Sequence, residues 1–123
     1  MPINSHKDLI VWQKSLGLCK TVYQATSKFP KEEVYGLTSQ MRRCAVSIPS
    51  NIAEGRNRGT RKDFSQFLRI ALGSAAELGT QIEIAKELNY INPNESAIIE
   101  RSLEEISKMI MGLIKKLSIN PTT

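Results

Sequence analysis

The stretch NPNESAIIERSLEEISKMIMGLIKKL, from Asn92 to Leu117, decides the fold. Its opening is a helix start. Asn92 suits the N-cap, Pro93 fits the first helical position without wasting a donor, and Glu95 stands where a capping box requires it. Beyond that start, Ile99, Leu103, Ile106, Ile110, Leu113 and Leu117 recur at alternating spacings of four and three. A sustained heptad of this kind is the seam of a left-handed helical bundle. Met109, Met111 and Ile114 lie outside the seam and widen the apolar face beyond what one seam buries. The surplus points to a second packing surface, either another helix of the bundle or a neighbouring subunit.

Working back along the chain, helical periodicity continues. A third helix is expected from about Arg61 to Leu88, with Phe64, Phe67, Leu68, Ala71, Leu72, Ala75, Leu78, Ile82 and Ala85 inward. A second is expected from about Thr38 to Gly55, with Met41, Ala45, Ile48 and Ile52 on one side. Gly55 reads as its C-cap, and Gly59 as freedom for the turn that follows. In the first helix Leu9, Trp12, Leu16, Cys19 and Tyr23 form a stripe that Val11, Leu18 and Val22 widen. Phe29-Pro30 stops it, because the residue before a proline is pushed out of the α region. KEEVYG, from Lys31 to Gly36, is a connector or an opening turn. No segment has the period-two pattern of a strand, and no linker, repeat or low-complexity tract divides the chain. The expected fold is all-α: one domain over residues 1–123, an antiparallel up-down-up-down four-helix bundle with its second helix kinked at Pro49.

Pro49 removes the hydrogen bond to the carbonyl of Ala45, so the helix must bend or restart there. Around it Arg43, Ser47, Ser50 or Asn51, and Glu54 follow at helical spacing, and the third helix offers Ser74, Glu77 and Gln81 likewise. Two arrangements remain open. The stripes face each other, with Arg43 paired to Glu54 or Glu77, or each is a solvated face.

The 123 residues carry 17 Lys+Arg against 12 Asp+Glu, a net charge of +5. That excess is local. Between Arg42 and Arg69 stand seven basic residues (Arg42, Arg43, Arg56, Arg58, Arg61, Lys62 and Arg69) against two acidic ones, Glu54 and Asp63. The rest of the chain cancels. A basic cluster on an otherwise neutral chain is the footprint of a surface that meets phosphate or another polyanion.

Other functional classes find little footing. No apolar run approaches the roughly 20 residues of a membrane span, and the polar start MPINSHKD lacks the apolar core of a signal peptide, so a cytoplasmic protein is expected. Cys19 and Cys44 sit in apolar helical patterns and read as small buried hydrophobes, neither disulfide nor metal pair. His6, the single histidine, lies in a segment expected to be mobile. EGRNRG, from Glu54 to Gly59, is too loosely spaced for a phosphate-binding loop and follows no strand. Neither an enzyme, a metal site, a cofactor nor a small-molecule substrate is expected. Within the turn, Arg56, Arg58, Arg61 and Lys62 reach outward, and Arg61 and Lys62 stand at a helix N-terminus, where cations oppose the dipole. No aromatic is placed there to stack on bases, so backbone contact is the expected mode.

Five runs in order, DLIVWQKSLGL (Asp8 to Leu18), FPKEEVYGLTSQMRR (Phe29 to Arg43), SIPSNIAEGRNRG (Ser47 to Gly59), KDFSQFLRIALGSAAEL (Lys62 to Leu78) and TQIEIAKELNY (Thr80 to Tyr90), resemble the bacterial four helix bundle protein family. It is also called the S23 or 23S rRNA-intervening-sequence protein family. The resemblance implies a four-helix bundle that assembles as a ring-shaped homopentamer. It further implies kinship with the accessory variability proteins of diversity-generating retroelements, basic bundles that bind nucleic acid and a reverse transcriptase. It brings no catalytic residues. Two functions are therefore expected: a non-catalytic oligomer in which the seven basic residues contact the backbone of RNA or DNA, or a protein-interaction scaffold without direct nucleic-acid contact.

Overall fold

A computed structural model describes residues 5–119 of the chain. Four helices carry it: α1 (Ile10–Thr26), α2 (Leu37–Asn57), α3 (Arg61–Glu87) and α4 (Pro93–Ile119). Single 3-10 turns at His6–Asp8 and Lys31–Glu33 precede α1 and α2. Among the described residues there is no strand. The pairs α1–α2, α2–α3, α3–α4 and α1–α4 pack together, and the diagonals do not. Short connections with neighbour-only packing give the antiparallel up-down-up-down bundle. The end of α2 and the starts of α1 and α3 therefore lie at the same pole as the end of α4.

The core of α2 and α3 follows the periodicity: Met41, Ala45, Ile48, Ile52, Leu68, Ala71, Leu78, Ile82 and Ala85 are all 0% exposed. In α4 the heptad holds through Ile99, Leu103, Ile106 and Ile110, then slips. Ile114 enters the core, while Leu113 and Leu117 are only half-buried. An α-helix repeats every 3.6 residues and drifts roughly 20° per heptad from a strict seam, which brings Ile114 round in the final turns.

The α1 stripe differs more. Val11, Ser15, Leu18, Val22 and Ala25 face the core, while Leu16 and Tyr23 are exposed and Trp12 and Cys19 lie half-buried at its edge. Apolar side chains ring much of this helix, so periodicity alone did not select the inner face. Ser15 enters the core because its hydroxyl donates to the Trp12 carbonyl at 2.7 Å. A hydroxyl satisfied within its own turn can be buried at little cost.

α2 runs through Pro49 without restarting. Proline leaves the Ala45 carbonyl without its usual partner, and the Cys19 thiol of α1 donates to that oxygen at 3.1 Å. Cys19 is thus more than a buried hydrophobe. Cys44, as expected, is buried; both cysteines are free thiols, and burial pushes both thiols up.

Gly55 does not end α2. The helix continues to Asn57, and a Cβ built on Gly55 would stand 2.5 Å from the Cβ of Phe67. Here α2 and α3 approach too closely for a side chain. Gly59 supplies the turn as expected, at φ 91°. At the other pole α3 ends in a Schellman turn: Asn89 takes φ 60°, Tyr90 N donates to Ala85 O at 2.9 Å, and Asn89 N to Lys86 O at 3.0 Å.

Asn92 caps α4 as the sequence indicates, with Glu95 N donating to Asn92 Oδ1 at 2.8 Å, but the Glu95 carboxylate pairs with Lys28 instead of closing a capping box. Asn92→Ala is expected to cost about 1 kcal/mol of stability, measured by urea unfolding. The α2 start is held differently. Glu33 Oε1 accepts from Leu37 N at 3.0 Å and Glu33 Oε2 from the Tyr90 hydroxyl at 2.9 Å, which ties the first connector to the last. These bonds hold the Glu33 carboxyl below its ordinary value of 4.5. A carboxylate favoured in the folded state stabilises fully above that ordinary value, and its contribution is lost as pH falls through the lowered one. Wild type is therefore expected to melt above Glu33→Gln at neutral pH, and the gap to close as the solution is acidified below pH 4.5.

Candidate nucleic-acid interface

Two of the seven basic residues stand apart from the rest. Arg42 and Arg43 lie sixteen and fifteen residues before Arg58 on one helix, about 24 Å and 22 Å along its axis. Arg42 closes the end of α1: its Nε donates to Thr26 Oγ1 at 2.8 Å, its Nη2 to the Tyr23 carbonyl at 3.3 Å, and its guanidinium stacks on the Tyr23 ring at 4.5 Å. It adds a further donor to the Tyr23 carbonyl, which also accepts from Ser27 N at 3.1 Å, a structural task. Arg43 is exposed and reaches Ser39 at 3.4 Å. It pairs with neither Glu54 nor Glu77; on a shared helix, eleven residues put Glu54 about 16 Å away.

The two polar stripes do face each other, without an ion pair from Arg43 to either glutamate. Ser47 and Ser74 share a 2.8 Å hydroxyl bond, Asn51 Nδ2 donates to Ser47 Oγ at 2.9 Å, and Gln81 Nε2 donates to the buried Cys44 sulfur at 3.4 Å. This seam fixes how α2 and α3 register.

The other five basic residues gather at the pole where α2 ends and α3 begins. Thr60 caps α3 through Asp63 N at 3.1 Å, which sets Arg61 and Lys62 in the first helical turn. Arg61 Nη1 donates to the Leu117 carbonyl at 3.4 Å, tying the α3 start to the α4 end. Between them runs an open groove of about 390 Å³, lined by Arg61, Lys62, Ser65, Gln66, Arg69, Leu117 and Ser118. Lys62 and Arg69 are two turns apart, about 10 Å along α3, and both are exposed. A smaller hollow of about 250 Å³ adjoins it, with Arg56 and Arg61 in its wall. Arg58 is partly neutralised: Glu54 accepts from it at 2.9 Å, and it lies 5.1 Å over the Phe67 ring. That exposed i,i+4 pair contributes only about 0.3–0.5 kcal/mol and yields readily to a stronger anion.

Lys115 and Lys116 were missed by reasoning from local charge. They are exposed in the last turns of α4, at this same pole. The up-down-up-down order alone would have placed them beside the α2–α3 turn. His6, expected to be mobile, also belongs here; its ring packs edge-on against Trp12 at 4.9 Å, and its Nδ1 lies 3.1 Å from Asn57 Nδ2. Among the described residues no group of three or more His, Cys, Asp or Glu is arranged to hold a metal ion, and no helix is long and apolar enough to cross a membrane.

Fold and site together define a four-helix bundle with one cationic pole. The chain belongs to the 23S rRNA-intervening sequence protein family, whose model matches residues 7–112. A crystal structure of a protein of unknown function from the S23 ribosomal protein family of Bacteroides thetaiotaomicron VPI-5482 is similar to it, with 28% identity and a TM-score of 0.78. The match covers 86% of this chain and 99% of that one. No curated protein matches the chain.

Proposed function

We propose that this is a non-catalytic, oligomeric nucleic-acid-binding protein of the cytoplasm that holds the RNA or DNA backbone at its cationic pole. The observation that carries the reading is the convergence of Arg61, Lys62 and Arg69 on one open groove, with Arg56, Arg58, Lys115 and Lys116 at the same pole. Guanidinium, ammonium, hydroxyl and amide groups suit holding a phosphate rather than transforming one. Arg42 and Arg43 do not belong to this surface.

Oligomerisation, into the homopentamer expected of the family, multiplies a patch that is weak in one copy. Its support is the apolar surface left on α4. Met111 is 49% and Ile98 50% exposed, and an apolar groove of about 390 Å³ runs between α4 and the start of α1, beside Ile10 at 60% exposure.

The test is a fluorescence-anisotropy titration of nuclease-treated protein against labelled 20-nucleotide RNA and DNA, single- and double-stranded, at low and physiological salt. Binding at low salt that weakens steeply with added salt is expected. No binding to any of the four at low salt would refute the proposal.

A further inference from the structure

Arg42 and Arg43, excluded from the cationic pole, border a second surface. An open groove of about 410 Å³ lies between the end of α1 and the start of α2, with Ser39, Arg42, Arg43 and Val46 in its wall. A second groove of about 400 Å³, lined by Trp12, Leu16, Cys19 and Pro49 among others, also includes Val46. With Val46 in both walls, the two adjoin and form a trough along the α1–α2 seam. From Trp12 to Tyr23 it extends about 16 Å, three turns of a helix.

The trough is apolar along its length and cationic at one end. Leu16, Tyr23, Val34 and Val46 are 43%, 44%, 50% and 42% exposed, and Tyr35, beside Val34, is 96% exposed. No aspartate or glutamate lines either groove. Stacking on Tyr23 and two hydrogen bonds hold the Arg42 guanidinium in place, while Arg43 has a single 3.4 Å bond to Ser39. A pre-positioned arginine and a second, available one at the mouth of an apolar trough match a helix that is apolar on one face and acidic at one end.

We propose that the α1–α2 trough docks an acidic amphipathic helix of a partner protein, with its carboxylates at Arg42 and Arg43 and its apolar residues along Val46 and Leu16. Nucleic acid fits poorly, since a phosphate backbone has no use for exposed valines and leucine.

Trp12, the single tryptophan, lines the trough and reports on it directly. The probe is a designed helical peptide of about 14 residues, long enough for the trough, with leucines at i, i+3, i+4 and i+7 and glutamates toward one end. Its twin carries lysines in place of the glutamates. The glutamate peptide is expected to shift Trp12 emission saturably, and the lysine twin to bind at least tenfold more weakly. Arg43→Glu should weaken the glutamate peptide tenfold or more and Val46→Ser several-fold, with both variants melting like wild type. Arg43→Glu should leave oligonucleotide binding at the other pole unchanged. Equal response to the two peptides, no response to the glutamate peptide, or undiminished binding by Arg43→Glu would overturn the proposal. Self-association abolished by Val46→Ser, with no peptide response, would assign the trough to a second copy and likewise overturn it.

Discussion

Replacing Arg61, Lys62 and Arg69 together by glutamine is expected to lower affinity for duplex nucleic acid by about 500-fold at 0.1 M salt. The magnitude follows from counterion release. Three lost phosphate contacts change the salt exponent by roughly 2.7, and at 0.1 M that exponent alone is worth about 10^2.7. Glutamine keeps much of each side chain's length and hydrogen-bonding capacity, so the loss isolates charge. Lys62 and Arg69 are exposed, and Arg61 makes only one 3.4 Å bond to Leu117, so the variant should fold and melt close to wild type. Arg42→Gln is the contrasting case. It should leave affinity intact while lowering stability, because it removes two hydrogen bonds and the stacking on Tyr23 at the end of α1. Anisotropy titrations paired with thermal melts separate the two outcomes.

The second large effect is on stability. Gly55→Ala gains up to about 1 kcal/mol of helix propensity, but its new Cβ would stand 2.5 Å from the Cβ of Phe67 and 3.3 Å from the Phe64 ring. A Cβ cannot rotate away as the end of a long side chain can. The helices must separate, and overpacking of this kind costs about 1–3 kcal/mol. The clash wins because Gly55 is buried and both atoms are anchored to main chain. A net loss of up to about 2 kcal/mol, or at most roughly 10 °C in Tm, is expected from calorimetry. Since α3 begins just beyond this crossing, the same change should also weaken oligonucleotide binding by shifting Arg61 and Lys62 relative to Arg56.

The sequence made some of this legible and hid the rest for physical reasons. The α4 start was readable because Asn92 and Pro93 act locally, and the inner faces of α2 and α3 were readable because one stripe on each is plainly apolar. In α1 apolar residues lie on several faces, and only packing selects Val11, Leu18 and Val22 over Leu16 and Tyr23. Gly55 resembled a cap because it stands near a helix end; its true constraint is Phe67, twelve residues on and on another helix. The basic count was right but its grouping was not. Arg42 and Arg61 each bond a carbonyl of a different helix, Tyr23 of α1 and Leu117 of α4, and local spacing cannot reveal that. Cys19 serving the carbonyl freed by Pro49 is hidden in the same way.

The Arg42–Arg43 end of the trough lies about 22–24 Å along α2 from Arg58 at the cationic pole, and the two are proposed to take different ligands. A chain carrying both could hold a nucleic acid and a protein at once, and Arg43→Glu with the triple glutamine variant would divide the two activities.

Binding of nucleic-acid backbone at the α2–α3 pole is read from the dependence of log affinity on log salt for a 20-base-pair duplex. For wild type the slope should be as steep as about −2.7 or steeper, from Arg61, Lys62 and Arg69 alone. In the triple glutamine variant it should be shallower by about that amount. A wild-type slope near zero, or a variant with an unchanged slope, would contradict the account.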